Sequence, residues 1–156
     1  MTKPFPDTSF LCAIYREQVN SGRADRIRAR IPGALPVSAL VLFEFRQSVR
    51  LHVRLRRKDR NLGFSKAEGA AMLRDLQSDL ATGVLDVVPV DWAGVFALAE
   101  MLSAKHTETG GHRFADILHV ATALHLGAAE FLTFDDNQQA LAGAEGMAVP
   151  DDCAVG

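Results

Sequence analysis

Four acidic residues occupy positions where a solvated carboxylate is not expected. Asp7 and Asp135 each follow a short apolar segment, whereas Glu44 and Asp116 lie inside apolar runs. A buried carboxylate costs free energy unless it is paired or binds a metal. If the four side chains converge, like-charge repulsion raises their pKa values unless a cation joins them. Oxygen ligands select hard divalent ions such as Mg²⁺ and Mn²⁺, which support phosphoryl chemistry by activating water.

Each acid also has a purely structural interpretation. Asp7 and Asp135 could cap the helices that follow them, because an Asp oxygen accepts hydrogen bonds from free N–H groups at a helix start. Asp116 lies near a helix N-terminus, where the helix dipole favours a negative charge. Glu44 could lie at a helix edge. However, neither apolar run around Glu44 and Asp116 contains a Lys or Arg that would neutralise it.

The elements that must position these acids alternate along the chain. Strands are predicted at Phe5, at residues 35–37 and 131–134, over the β-branched and therefore buried segment 84–90, and finally at 147–149. Helices are predicted between them, which favours an α/β domain around a parallel sheet. Ligands of such sheets bind at the carboxyl ends of the strands, so Asp7 and Asp135 are expected to point into one crevice.

Polar residues mark the predicted helix starts. Thr8 and Ser9 offer capping hydroxyls to the first helix, and Ser38 offers one to the long helix that carries Glu44. Ser65 begins a capping-box sequence. Asp136 precedes Gln139 by three residues and is predicted to cap the last helix.

Two prolines interrupt the first predicted strand. Pro4 and Pro6 flank Phe5, and alternate residues of a strand direct their N–H groups to the same neighbour. Both prolines therefore remove donors from one ladder, so this strand is either very short or an edge at this point.

Length and composition indicate one globular domain spanning residues 1–156. The chain is 48% hydrophobic and 23% charged, which excludes disordered and collagen-like classes. No apolar run approaches the roughly 20 residues of a transmembrane helix, so no membrane association is expected. Cys12 and Cys153 are far apart in sequence and show no zinc-ligand spacing, which favours a reducing, cytoplasmic location.

Charge is divided unevenly between the two parts of the chain. Residues 1–60 hold 13 of the 17 Lys and Arg but 5 of the 19 Asp and Glu, a net charge of +8. The remainder carries a net charge of −10. The basic part predicts contact with a polyanion or an acidic partner, although solvated helix faces would also account for it.

The acids occur in motifs that resemble a known family. Asp7-Thr8-Ser9, the acid Glu44 in the helix after the second strand, the segment 116–123 and the sequence Thr133-Phe134-Asp135 resemble the motifs of PIN-domain ribonucleases, with the VapC-type toxins of bacterial toxin–antitoxin pairs as the nearest match. The resemblance covers nearly the whole chain. It implies a three-layer α/β/α sandwich with a five-stranded, mainly parallel sheet. It also implies Mg²⁺- or Mn²⁺-dependent endonucleolytic cleavage of RNA and neutralisation by a cognate antitoxin protein.

The resemblance also implies roles for individual residues. The catalytic metal ligands, direct or through water, would be Asp7, Glu44, Asp116 and Asp135. Further positions could contact the substrate or hold those ligands in place: Thr8, Ser9, Arg113, His119 and Thr133. Helix capping competes with these roles for Thr8 and Ser9, a structural role in a buried helix competes for His119, and Arg113 could either steady Asp116 or bind phosphate.

Two other classes of protein remain open. A Mg²⁺-dependent phosphatase or a phospho-acceptor domain also gathers acids at strand ends, but it needs a suitably placed lysine, and Lys105 precedes a loop. A catalytically silent PIN-like binding module is the other alternative, although all four acids are present.

The helix that carries Glu44 is expected to present two surfaces. At about 100° per residue, Arg46, Arg50, Arg54 and Arg57 form a solvent-facing stripe, while Leu51 and Leu55 lie on the edge of Glu44. Apolar residues beside an acidic crevice predict a contact with a second subunit, as in a homodimer, or with the antitoxin. Alternatively, both leucines belong to the chain's own core.

Overall fold

Helices and short strands alternate in the computed structural model, which describes residues 3–154. The strands are β1 (Phe5–Pro6), β2 (Leu35–Val37), β3 (Leu85–Val87) and β4 (Phe131–Leu132). The helices are α1 (Thr8–Tyr15), α2 (Ser21–Arg30), α3 (Ala39–Lys58), α4 (Lys66–Ala81), α5 (Trp92–Gly110), α6 (Phe114–His125) and α7 (Asp136–Ala144). The predicted α/β class is confirmed.

All strand pairing in the described residues is parallel. β1 pairs with β4, with Phe5 opposite Phe131, and β2 pairs with β3, with Leu35 opposite Leu85. β1 also lies beside β2, but no ladder joins them. An isolated parallel bridge joins Glu130 to Ala148. The strand order is therefore β3-β2-β1-β4, with a short extension beyond β4.

Prolines explain why the ladder is interrupted between β1 and β2. The N–H groups of Phe5 and Asp7 donate to the carbonyls of Glu130 and Leu132 at 2.9 and 3.0 Å, which directs these donors toward β4. Because successive residues of a strand point their N–H groups in opposite directions, position 6 faces β2. Pro6 has no N–H to donate there.

Strand β2 also lacks a hydrogen-bond donor on the side that faces β1. The N–H of Leu35 donates to the carbonyl of Val84 at 3.0 Å, so position 35 pairs on the β3 side and position 36 faces β1. That position is Pro36, and its ring nitrogen also lacks a proton. The seam therefore relies on side-chain packing, and the very short first strand predicted from Pro4 and Pro6 is confirmed.

Two strand predictions need correction. The segment 84–90 contains a strand over Leu85–Val87 alone, and of these three only Leu85 is buried. The other two side chains are exposed, so the β-branched composition of the segment did not imply burial. The strand predicted at 147–149 is reduced to the single bridge at Ala148.

The core lies between two groups of helices. Helices α1–α4 contact one another on one side, and α5–α7 contact one another on the other. The largest fully buried side chains include Phe5, Phe10, Phe45 and Phe131. Residues 116–123 of α6 are all buried, so most of this helix is enclosed by its neighbours.

Helix α3 is held by a cap at its start and exposes part of its surface further along. The Ser38 hydroxyl accepts a hydrogen bond from the N–H of Val41 at 3.2 Å, so the predicted cap is confirmed. Leu51 and Leu55 are 50% and 40% exposed, and the alternative that they belong to the chain's own core is therefore wrong.

Membrane insertion finds no support in the helices. Across residues 3–154, none of them combines the length and apolar character needed to cross a bilayer.

The close approach of α3 and α4 at Gly69 generates a stability prediction. A Cβ atom at Gly69 would lie 2.6 Å from Cγ2 of Val53 and 3.3 Å from Cγ1 of Val49. We expect Gly69→Ala to lower the free energy of unfolding by about 1–3 kcal/mol, because overpacking forces side chains or helices to shift.

The control for Gly69→Ala is a second helical glycine in open space. A Cβ at Gly143, in α7, has no atom within 4 Å. We expect Gly143→Ala to be neutral or to stabilise by about 0.5–1 kcal/mol, since alanine restricts the unfolded chain. Urea unfolding of both variants measures the difference, and equal stabilities would contradict the packing argument.

Candidate functional site

Asp7 is held at the carboxyl end of β1 by three hydrogen bonds. Its Oδ1 accepts from the Ser9 hydroxyl at 2.7 Å and from the N–H of Phe10 at 2.9 Å. Its Oδ2 accepts from the Thr133 hydroxyl at 2.7 Å, which ties the end of β1 to the end of β4. Asp7 is also the N-cap of α1, so its rotamer is determined by the strand and the helix together.

Burial dominates the electrostatics of Asp7. The side chain is fully buried, and this loss of solvation raises the pKa of Asp7 above its ordinary value. The charge of His119 and the hydrogen bonds from Ser9, Phe10 and Thr133 oppose that rise. The carboxylate is therefore well oriented, but its surroundings do not fully offset the loss of hydration.

Glu44 projects from the first half of α3 and binds two polar side chains. Its Oε2 lies 2.5 Å from Nε2 of His119 and also accepts a hydrogen bond from the Thr8 hydroxyl. Chiefly through the hydrogen bond to His119, the pKa of Glu44 is held below its ordinary value. His119 is buried in α6, so this contact joins the two helix groups across the site.

Asp116 lies in the first turn of α6 and contacts Arg113 twice. Its Oδ2 accepts from the backbone N–H of Arg113 at 3.0 Å and from the guanidinium Nε at 3.2 Å. Its Oδ1 lies 3.5 Å from Nε2 of Gln138. The carboxylate thus completes a capping interaction at the helix start while its other oxygen faces α7.

Asp135 follows β4 and is the N-cap of α7. Its Oδ1 accepts from the N–H of Gln138 at 3.0 Å, and its own N–H donates to the Thr133 hydroxyl at 3.0 Å. Its Oδ2 lies 3.6 Å from a terminal guanidinium nitrogen of Arg113. Thr133 therefore links Asp7 to Asp135.

The four acids line one cavity of about 280 Å³. Arg113 lines it as well, and the nearby carboxylates, Asp116 foremost, raise the pKa of its guanidinium. Ser48 and Gln138 also line the cavity and were not predicted from the sequence. The available signal for Gln138 was its position three residues after Asp135, where a helix-capping side chain meets the backbone.

The donor set fits a hard divalent ion bound partly through water. Every acidic group in the cavity supplies oxygen, and no cysteine lines it. Within residues 3–154, no three His, Cys, Asp or Glu side chains form a compact cluster for direct coordination. Mg²⁺ commonly keeps several waters and uses one or two carboxylates, so a wider ring of acids is compatible with its binding.

The interpretation of Asp7 and Asp135 as helix caps is confirmed, whereas the caps predicted at the next polar residues are wrong. Asp7, rather than Thr8 or Ser9, caps α1, and the two hydroxyls instead bind Glu44 and Asp7. Likewise Asp135, rather than Asp136, caps α7. In both cases the strand ends on the carboxylate itself, so the Asp takes the capping position before the next polar residue can.

A family model described as the PIN domain matches residues 5–144. The chain superposes on Mycobacterium tuberculosis VapC20, which is described as a Sarcin-Ricin loop cleaving toxin, with a TM-score of 0.62. The two sequences are 24% identical, and the match covers 88% of this chain and 94% of VapC20. No curated protein sequence matches this chain.

Two further solved structures share the fold. FitAcB from Neisseria gonorrhoeae superposes with a TM-score of 0.62 at 19% identity, and the match covers 97% of this chain and 99% of that one. VapBC2 from Rickettsia felis, bound to a DNA fragment from its promoter, superposes with a TM-score of 0.62 at 12% identity. That match covers 96% of this chain and 98% of the VapBC2 chain. At these identities the likeness concerns the fold.

The different environments of two acids predict opposite effects of neutralising them. We expect Asp7→Asn to raise the melting temperature in EDTA by about 2–4 °C, the equivalent of about 1 kcal/mol, because it removes a buried charge. The amide oxygen can still accept from Ser9 and Phe10, and the Thr133 hydroxyl can accept from the amide nitrogen instead of donating. Differential scanning fluorimetry measures this shift.

Asp116→Asn is the matched comparison. Because Asp116 pairs with Arg113 and caps α6, we expect its neutralisation to lower the free energy of unfolding by about 0.5–2 kcal/mol. Stabilisation by Asp116→Asn, or strong destabilisation by Asp7→Asn, would contradict the assignment of these environments.

Proposed function

Because the chain belongs to the PIN-domain family, we propose that it is a metal-dependent endoribonuclease and the toxin of a toxin–antitoxin pair. The observation that carries the proposal is the convergence of Asp7, Glu44, Asp116 and Asp135 on one cavity. These acids come from the ends of β1 and β4 and from α3 and α6, which are distant in sequence. Helix capping alone gives no reason for Glu44 to join the other three.

The proposed metal site uses the four acids as ligands, directly or through water. Mg²⁺ or Mn²⁺, when bound, supplies an activated water and stabilises the charge that develops on phosphorus and the leaving oxygen. Ser9 and Thr133 orient Asp7, while Thr8 and His119 orient Glu44. Such fixed ligands reduce the reorganisation needed during the reaction.

A basic helix surface supports RNA as the substrate. Arg50, Arg54 and Arg57 line a groove between α3 and α4, and none of them forms an ion pair within residues 3–154. Unpaired cations on this face of the protein attract a polyanion over long range. The likeness to a toxin described as cleaving the Sarcin-Ricin loop supports the same substrate class.

The wide spacing of the acids would also suit one alternative to the enzyme, a binding module without catalytic activity. A catalytically silent PIN-like module would also lack a compact cluster of metal ligands, and none is present in the described part of the chain. The intact set of four acids argues for the enzyme, and an activity assay separates the two.

The free thiols support a cytoplasmic location. Cys12 and Cys153 form no disulfide, and burial raises the pKa of each thiol to about 11. Two cysteines that stay unpaired are typical of proteins in a reducing compartment, where disulfides are rare.

RNA cleavage with purified protein tests the proposed activity. We expect cleavage of a structured RNA in Mg²⁺ or Mn²⁺, none in excess EDTA, and a loss of at least about 100-fold in Asp7→Asn because a catalytic ligand is removed. Asp136→Asn is the control, because Asp136 is exposed and its substitution removes the same charge next to the site.

The outcomes of this assay separate the candidate classes. Full cleavage in EDTA would overturn the metal-dependent mechanism. Release of phosphate from a small ester without RNA cleavage would indicate a phosphatase, and neither activity would indicate a silent module.

The exposed leucines of α3 support a partner surface. Leu51 and Leu55 are both exposed, and at about 100° per residue they lie on the same side of α3 as Glu44. Adjacent exposed apolar side chains can form a patch that a partner protein covers. We assign them to the homodimer or antitoxin contact expected for a toxin of this class. The similar structure of VapBC2 supports a partner protein.

A double substitution tests this surface. We expect Leu51→Asp with Leu55→Asp to leave a folded protein that no longer dimerises or no longer copurifies with the product of the neighbouring antitoxin gene. Light scattering and coexpression measure the two contacts, and Leu62→Asp is the control because Leu62 is also 50% exposed. Retention of both contacts, or unfolding of the double variant, would contradict the assignment.

A further inference from the structure

One positive side chain already bridges two acids of the cavity. The guanidinium of Arg113 places Nε 3.2 Å from Oδ2 of Asp116 and a terminal nitrogen 3.6 Å from Oδ2 of Asp135. These acids belong to different helix starts, α6 and α7. A single cation therefore holds together two carboxylates that would otherwise repel each other.

The remaining oxygens of both acids have other partners. Gln138 contacts Oδ1 of Asp116 through its side chain and Oδ1 of Asp135 through its backbone N–H. Arg113 thus occupies Oδ2 of both acids, and a cation bound between the two carboxylates would compete with it for these oxygens. Two cations cannot share these oxygens at contact distance without strong mutual repulsion.

Of Arg113, Asp116 and Asp135, Arg113 is the residue whose charged group can move away from the other two. Its side chain is 75% exposed, whereas that of Asp116 is 3% exposed. The guanidinium can move into solvent and be hydrated there, but the buried carboxylate cannot follow it without losing its packing. The backbone N–H of Arg113 donates to the carboxylate of Asp116 independently of the side chain, so this contact at the start of α6 does not need the guanidinium.

We propose that Arg113 is an internal counter-cation that competes with the divalent ion for Asp116 and Asp135, so that metal binding requires its guanidinium to leave them. This inference rests on the proposed metal site. The side chain prevents repulsion between the acids in the metal-free protein and weakens metal affinity by the free energy of its own contacts. Arg113 is therefore a positioning residue for the acids rather than a catalytic residue.

Manganese binding measured by calorimetry tests the competition without relying on activity. We expect Arg113→Ala to bind Mn²⁺ at least about 5-fold more tightly than the wild type, the lower end of usual coupling between competing ligands. Arg113→Lys should fall between them, because a lysine keeps the charge but lacks the fork that spans two carboxylates.

The control removes one positive charge elsewhere. Arg50 is exposed on α3 and lines the groove with α4 instead of the acidic cavity. Arg50→Ala changes the net charge as Arg113→Ala does, and we expect its Mn²⁺ affinity to match that of the wild type. A melting curve in EDTA gives the second readout, in which Arg113→Ala should be less stable than wild type yet gain more stability from added Mn²⁺.

Unchanged or weaker Mn²⁺ binding by Arg113→Ala would overturn the competition and leave Arg113 as a purely structural partner of Asp116. An equal gain in Arg50→Ala would also overturn it, since net charge would then explain the effect. If no variant binds Mn²⁺, both this inference and the proposed metal site fail. If the wild type binds Mn²⁺ but cleaves no RNA, the proposed function fails while the competition stands.

Discussion

A carboxylate that is fully buried at the end of the first strand is the constraint on which the site depends. Asp7 cannot be hydrated, so its charge must be met by the protein. Donors from Ser9, Phe10 and Thr133 meet it in part, and His119 contributes from α6. The ends of β1 and β4, the start of α1 and the middle of α6 are therefore held together by the needs of one side chain.

Three of the four acids stabilise helix starts and also line the candidate site. Asp7 and Asp135 cap α1 and α7, and Asp116 completes the start of α6. A helix N-terminus stabilises negative charge, so placing acids there lowers the cost of bringing them together. The structural and functional interpretations of these residues are thus compatible. Glu44 differs, because it lies within α3 and is compensated by Thr8 and His119 instead.

The proline seam shows how little strand is needed to position this site. Pro6 and Pro36 remove donors from facing edges of β1 and β2, yet Phe5 and Leu35 remain fully buried and the two strands stay adjacent. Hydrophobic packing from the helix groups substitutes for the missing hydrogen bonds. The pairing of β1 with β4 is intact, and that pairing brings Asp7 beside Thr133.

The sequence by itself determined the α/β class, the helix starts at Ser38 and Ser65, and the four acids that line the cavity, because each depends on local spacing or on apolar context. It overestimated the length and the burial of β3, and at the starts of α1 and α7 it did not decide between an Asp and the polar residue that follows as the cap. Strand ends and burial depend on neighbours that local patterns do not contain.

The partners of each acid were decided by tertiary structure alone. Glu44 meets His119 from a helix 75 residues away, and Asp7 meets Thr133 across 126 residues. Arg113 reaches Asp116 within one helical turn, but its bridge to Asp135 exists only because α6 and α7 begin side by side. Residue types could indicate that these carboxylates need a cation, but the identity of that cation in the folded chain depends on distances that only packing sets.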